Sequence, residues 1–234
     1  VVAETEAASD DDAAEEEKKE KIIYYATDLK LQGQYVNMFR QAKMDAVVLP
    51  DQIDQPFINQ LEMKNEGIKF RRIDADLDDT VKAETSKEDQ EELKTLSEEM
   101  EKLVRGALNN EKLSVRVEKL KDKKVSSILT ISEESRRMQD MMKMYAMNGM
   151  DMGMFGGEGE TLVLNAEHPL VEYLVAHKEA FAKDGEEKKE ETGVETLICE
   201  QLYDLAKLQN GPLDAEAMSR FVERSNEIMV SMTK

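Results

Sequence analysis

Between residues 22 and 73 the apolar positions switch between two periods. Short β-prone runs stand at 22–26, 46–49 and 68–73, the second ended by Pro50. Tyr35, Met38 and Phe39 (34–41), then Phe57, Ile58 and Leu61 (55–63), recur at helical spacing, and Gly67 stops the second of these segments. Strand, helix, strand, helix, strand predicts a small α/β unit with parallel pairing. A unit of about 50 residues buries little surface, so it is expected to pack on something else or to end a larger domain.

Polar residues at 76–85 read as a linker. Ser86 with Asp89 forms a capping box, and Leu93, Leu96, Met100, Leu103, Val104 and Leu108 then mark one stripe of a long helix that Asn109 and Asn110 end. Two strands are predicted at 114–120 and 125–131, separated by the turn-forming 121–124. Ser132 can cap a helix over 133–147, with Ser135 at the third position and Glu133 and Glu134 at the favourable end of the dipole. A further strand covers 161–164. His168 before Pro169 caps or begins a helix carrying Leu170, Val171, Leu174 and Val175, with His177 on its exposed side. Two last helices, 193–209 and 214–232, flank Asn210-Gly211-Pro212. Gly211 is suited to closing the first, and Asp214 caps the second with half a box, because Ala217 holds the box position. The expected fold class is α+β: an acidic flexible arm (1–21), a small α/β unit (22–75), a linker (76–85), and an α+β domain with a small mixed sheet and a terminal helical hairpin (86–234). No internal repeat is present.

Two of these helices carry more apolar surface than one seam needs. The last repeats Met218, Phe221, Val222, Ser225, Ile228, Met229 and Met232 on one broad face, and the helix before it offers Leu197, Ile198, Leu202, Leu205 and Leu208. Either both dock on their own strands, or the hairpin pairs with its copy in a second molecule as a four-helix bundle. The helix from 133 crowds Met138, Met141, Met142, Met144, Tyr145 and Met147, and Met150, Met152, Met154 and Phe155 follow. These residues fit a loosely packed core helix or an adaptable recognition surface. A copper(I) thioether site is the weaker third reading, since Cys199, His168 and His177 are not placed to support it.

Charge and missing motifs narrow the function. The chain has 234 residues, with 51 acidic against 32 basic side chains and a formal charge of −19. Nucleic acid and anionic membranes are therefore disfavoured partners. Cys199 is the single cysteine, which excludes an internal disulfide. The acidic start does not read as a signal peptide, and no apolar run approaches the length of a membrane span. Gly156-Gly157 is followed by Glu158 and Gly159 without a phosphate-binding lysine, and Gly33 stands alone after the first strand. The two histidines lie nine positions apart, and no serine sits in a G-x-S-x-G elbow. No catalytic, cofactor-binding or metal-ligating residue is nominated.

Several segments, in order and at matching spacing, resemble the ninety-kilodalton heat-shock chaperone family in its bacterial form, HtpG. They are Ile23-Tyr24-Tyr25-Ala26-Thr27-Asp28, residues 35–39, and Val48-Leu49-Pro50-Asp51-Gln52-Ile53-Asp54. Residues 125–132 and 136–145, Leu162-Val163-Leu164-Asn165, His168-Pro169-Leu170-Val171, Pro212-Leu213 and Phe221-Val222-Glu223-Arg224 continue the series. The resemblance implies that the α/β unit ends the middle domain and that residues from about 86 onward form the dimerisation domain. The last two helices would then form the intersubunit four-helix bundle, through Ile198, Leu202, Leu205, Met218, Phe221, Val222, Ile228 and Met229. The methionine helix would contact unfolded client proteins through Met138, Met141, Met142, Tyr145 and Met147. The family's ATP pocket, with its magnesium, and its catalytic arginine belong to stretches not present here. The expected parent is an ATP-dependent stress-response chaperone of the cytoplasm, whereas this chain is expected to be non-enzymatic and without a cofactor. Its partners would be itself and unfolded or partly folded clients, with no nucleic acid and no membrane. The acidic start and the Met/Gly-rich 148–159 depart from the usual bacterial pattern. The end lacks the acidic peptide with which eukaryotic cytosolic members bind helical-repeat co-chaperones, so no such partner is expected. The alternatives are a non-catalytic adaptor that scaffolds folded partners and a nucleotide-dependent enzyme built on the α/β unit.

Overall fold

The computed structural model describes residues 21–51, 53–75, 82–138, 159–179, 193–231 and 233. The chain divides after Ile73 into two compact units. The fold is α+β, with a three-stranded sheet in each unit.

In the first unit β1 (Lys21–Ala26) is the central strand, flanked by β2 (Val47–Val48) and β3 (Ile68–Arg72). Both pairings are parallel, with Tyr25 opposite Val47 and Ile23 opposite Phe70. Each parallel connection needs a crossover, supplied by α1 (Gly33–Gln41) and α2 (Asp54–Lys64). Tyr24 and Tyr25 are neighbours in a strand and so point to opposite faces. Tyr24 meets Phe39 of α1 edge-on at 5.0 Å, while Tyr25 packs with Ile58 of α2 and with Phe70. The paired tyrosines thus place one helix on each side of the sheet. Gly67, at φ +94°, turns α2 into β3 and accepts a bond from the Lys21 N–H through its carbonyl.

The second unit opens its long helix α3 (Lys87–Leu108) with the expected box: Ser86 Oγ accepts the Asp89 N–H at 3.1 Å, and the Asp89 carboxylate accepts the Ser86 N–H at 3.1 Å. Lys119 adds an ion pair at 2.8 Å, and these donors, Lys119 first, hold the Asp89 carboxyl down at about 2. Asn109 ends the helix in the left-handed conformation at φ 48°. The strands β4 (Ser114–Glu118), β5 (Ser127–Ile131) and β6 (Glu160–Asn165) form a sheet in the order β4-β6-β5. β6 is parallel to β4 and antiparallel to β5, so the two strands consecutive in sequence are not neighbours.

Helix α3 runs along the outer edge of β4 and satisfies it with side chains. Ser97 Oγ accepts the Val117 N–H at 2.8 Å, Glu101 accepts the Val115 N–H at 3.0 Å, and Arg105 Nε donates to the Leu113 carbonyl at 2.6 Å. Strand amides that would invite another chain are thereby occupied. The apolar side of α3, centred on Met100 and Val104, packs on Val115, Val117, Leu162 and Leu164. Helix α4 (Pro169–Ala176) adds Val171 and Leu174 to the same core. His168 caps α4 by accepting the Leu170 N–H on Nδ1 at 3.3 Å, and the exposed His177 stacks on Tyr173 at 4.0 Å. Among the described residues no helix is long and apolar enough to cross a membrane.

Candidate assembly and client-contact surfaces

Helix α5 (Val194–Leu208) docks inward on the sheet of its own chain. Cys199, Leu202 and Ala206 are buried in the core, Ser127 Oγ donates to the Leu202 carbonyl at 2.9 Å, and Asn210 Nδ2 donates to the Leu129 carbonyl at 2.8 Å. Leu202 therefore leaves the set assigned to the dimer surface: it is 1% exposed and covered within its own chain, because its turn of α5 faces β5. Ile198 is half-buried against the same core. Burial pushes the Cys199 thiol up to about 12, which marks it as an inert structural residue. The helix ends at Leu208, and the Gly211 N–H returns to the Lys207 carbonyl at 3.1 Å without a left-handed φ. The glycine's conformational freedom is thus not what closes α5.

Helix α6 (Ala215–Ser231) is capped by Asp214, whose carboxylate accepts the Ala217 N–H at 2.8 Å and is held below its ordinary pKa chiefly by that bond. It packs chiefly on α5. Of its described side chains only Ala217 and Arg224 are buried, and Phe221 and Ile228 are half-covered. Met218, Val222 and Met229 point away, at 36%, 49% and 56% exposure, with Leu205 of α5 also exposed. The two docking alternatives thus separate by helix: α5 is committed to its own strands, whereas α6 carries an uncovered apolar stripe.

What fastens α6 to α5 is polar. Arg224 donates from Nε to Gln201 at 3.0 Å and from Nη1 to Glu200 at 2.8 Å, and its Nη2 pairs with the Asp204 carboxylate. Gln201 also donates to Ser225 Oγ at 3.1 Å. The sequence pattern gives Arg224 no role beyond its place in the run Phe221-Val222-Glu223-Arg224. The available signal was its place at heptad spacing with Ala217, Phe221 and Ile228, a charge inside an otherwise apolar line.

The start of the methionine segment, helical over 133–138, is firmly anchored. Ser132 Oγ accepts the Ser135 N–H at 3.2 Å. Gly159, at φ +84°, lies so close that a Cβ there would collide with the Ser135 side chain. Buried Arg136 pairs with buried Asp74 at 3.3 Å. Met138 is 50% exposed. Met141, Met142, Tyr145 and Met147 lie outside the described residues. Among the described residues no group of three or more His, Cys, Asp or Glu side chains is placed to hold a metal ion.

Comparison with known proteins places these features in a family. The profile described as Hsp90 protein matches residues 4–234. The chain is 24% identical to the chaperone protein HtpG of Bacteroides thetaiotaomicron and 27% identical to that of Porphyromonas gingivalis, each time over 89% of this chain and 38% of the relative. It is 25% identical to the corresponding Bacteroides fragilis protein, with the same coverage. The chain thus spans 38% of the length of the curated relatives it matches. With the profile covering nearly every residue, the chain belongs to the Hsp90 protein family.

Proposed function

We propose that this chain is the C-terminal, dimer-forming part of an ATP-dependent cytoplasmic chaperone, with the unit ending at Ile73 closing the middle domain. The observation that carries this reading is the uncovered stripe Leu205, Met218, Val222 and Met229 on a hairpin whose inner helix is already committed to the core. A second copy related by a two-fold axis would cover it as a four-helix bundle. Full burial of an exposed side chain of this kind contributes roughly 1.5–3 kcal/mol, and these four keep only part of their surface exposed, so each supplies a fraction of that and the stripes of both copies act together against the ordering cost of association. The permanent clamp would keep the arms of the whole protein at high effective concentration. ATP and magnesium would act in the parent's other domains, outside this chain. The exposed Met138 and the methionines after it would give broad, weak contact with non-native chains. Sedimentation of the chain at low micromolar concentration should give twice the mass of 26.6 kDa. A clean monomer removes the clamp.

A further inference from the structure

We infer that Arg224 is the positioning residue of the assembly surface: it sets which face α6 presents to a partner copy although it lies on the opposite, inward side. The inference rests on the dimer reading and concerns what controls that surface. Apolar packing is non-directional and defines the rotation of a helix about its axis weakly, whereas a guanidinium fork defines it closely. Helix α6 has little apolar packing on its inner side, where Ala217 is buried and Phe221 and Ile228 are half-covered. Its fork has every nitrogen engaged within one turn of α5: Nε with Gln201, Nη1 with Glu200, and Nη2 with the Asp204 carboxylate and, at 3.4 Å, the Glu200 carbonyl. The Arg224 side chain is 7% exposed, so these bonds are little screened by solvent or salt.

Without this pin the helix is free to roll and bury Met218 and Val222 against α5. A rolled helix hides the stripe that a second copy needs. Removing Arg224 alone leaves the Glu200 and Asp204 carboxylates without their cation, but that cost falls on the α5–α6 contact, because no α6 side chain belongs to the core that holds the sheet. Dimer strength and subunit stability should therefore part company at this position.

The test uses the full chain and the variants Arg224→Met, Arg224→Lys and the charge-exchanged Asp204→Arg/Arg224→Asp. Sedimentation gives the dimer dissociation constant, and hydrogen exchange gives the protection of β4, β5 and β6. The expected result for Arg224→Met is a dimer weakened by about tenfold or more with the sheet as protected as in the parent. Arg224→Lys, a point charge without the fork, should fall between. The exchanged pair should recover at least half of the lost binding free energy. A parent-strength dimer in Arg224→Met overturns the inference while leaving the dimer reading intact. Lost sheet protection in both Arg224→Met and Arg224→Lys overturns it too, since Arg224 would then be a general structural residue. A monomeric parent removes the dimer reading and this inference with it.

Discussion

Asn165 has two acceptor positions and two donors on its side-chain amide, and all four are used. Oδ1 accepts the Leu120 and Glu167 N–H groups at 3.2 Å each, and Nδ2 donates to the Asp122 carbonyl at 3.2 Å and the Val125 carbonyl at 2.7 Å. The residue is completely buried at the end of β6 and organises the connection from β4 to β5. A fully satisfied buried network is rigid, and a partly satisfied one is costly. Asn165→Leu keeps the branched shape and the number of side-chain heavy atoms but leaves four backbone groups without that partner. It should lower stability by about 3–5 kcal/mol, read as a fall in the urea midpoint. A midpoint within experimental error of the parent would show that the connection holds itself. Residues of this kind are hard to read from a sequence, because Asn in a strand run has low propensity and no periodic signature. The capping residues Ser86, Ser132, His168 and Asp214 are the opposite case, since each acts on an amide two or three positions away.

At the scale of elements, α6 is the informative one. Its two apolar lines differ by one position: Ala217, Phe221 and Ile228 run toward α5, and Met218, Val222 and Met229 run outward. Val222 is the cleaner probe of assembly than Phe221, because half-covered Phe221 also contributes to docking within the chain. Val222→Asp should leave the thermal midpoint of the subunit within about 2 °C of the parent, as expected for an exposed site. In the proposed dimer it would place a charge at the seam in both copies and should weaken association by about 100-fold, measured by light scattering across a concentration series. Unchanged mass at every concentration would place the interface elsewhere. The broad face of α6 was legible from spacing alone, but its division into inner and outer lines was not. Periodicity shows that a helix has a side, and only the neighbouring helix shows which part of that side is taken.

At the scale of the whole molecule, each unit has its own core and each leaves apolar surface open. In the first unit Val47, Val48, Ile53, Phe57 and Met63 are exposed. In the second unit the exposed residues include the α6 stripe and Met138. The proposed client contact is tested on the full chain. Hydrogen exchange on the full chain, with and without an unfolded protein, should show added protection across 138–147, and a folded control protein should produce none. Met142→Glu should reduce that protection at least about threefold without shifting the thermal midpoint. Equal protection by folded and unfolded proteins would favour the adaptor reading instead.

Among the described residues the sequence by itself determined most of the local grammar: the strands and helices, most of their caps and stops, the α+β class, and the run of segments that marks the family. These follow from interactions within a few residues and from the periods 2 and 3.6, both written directly in the chain. Only the tertiary structure decided that β6 inserts between β4 and β5, that Leu202 faces inward, and that Arg224 fastens α6. Those outcomes depend on pairings 20 or more positions apart, such as Arg224 with Asp204 and Ser127 with Leu202. The partner there is chosen by how the layers close around one core, not by spacing along the chain.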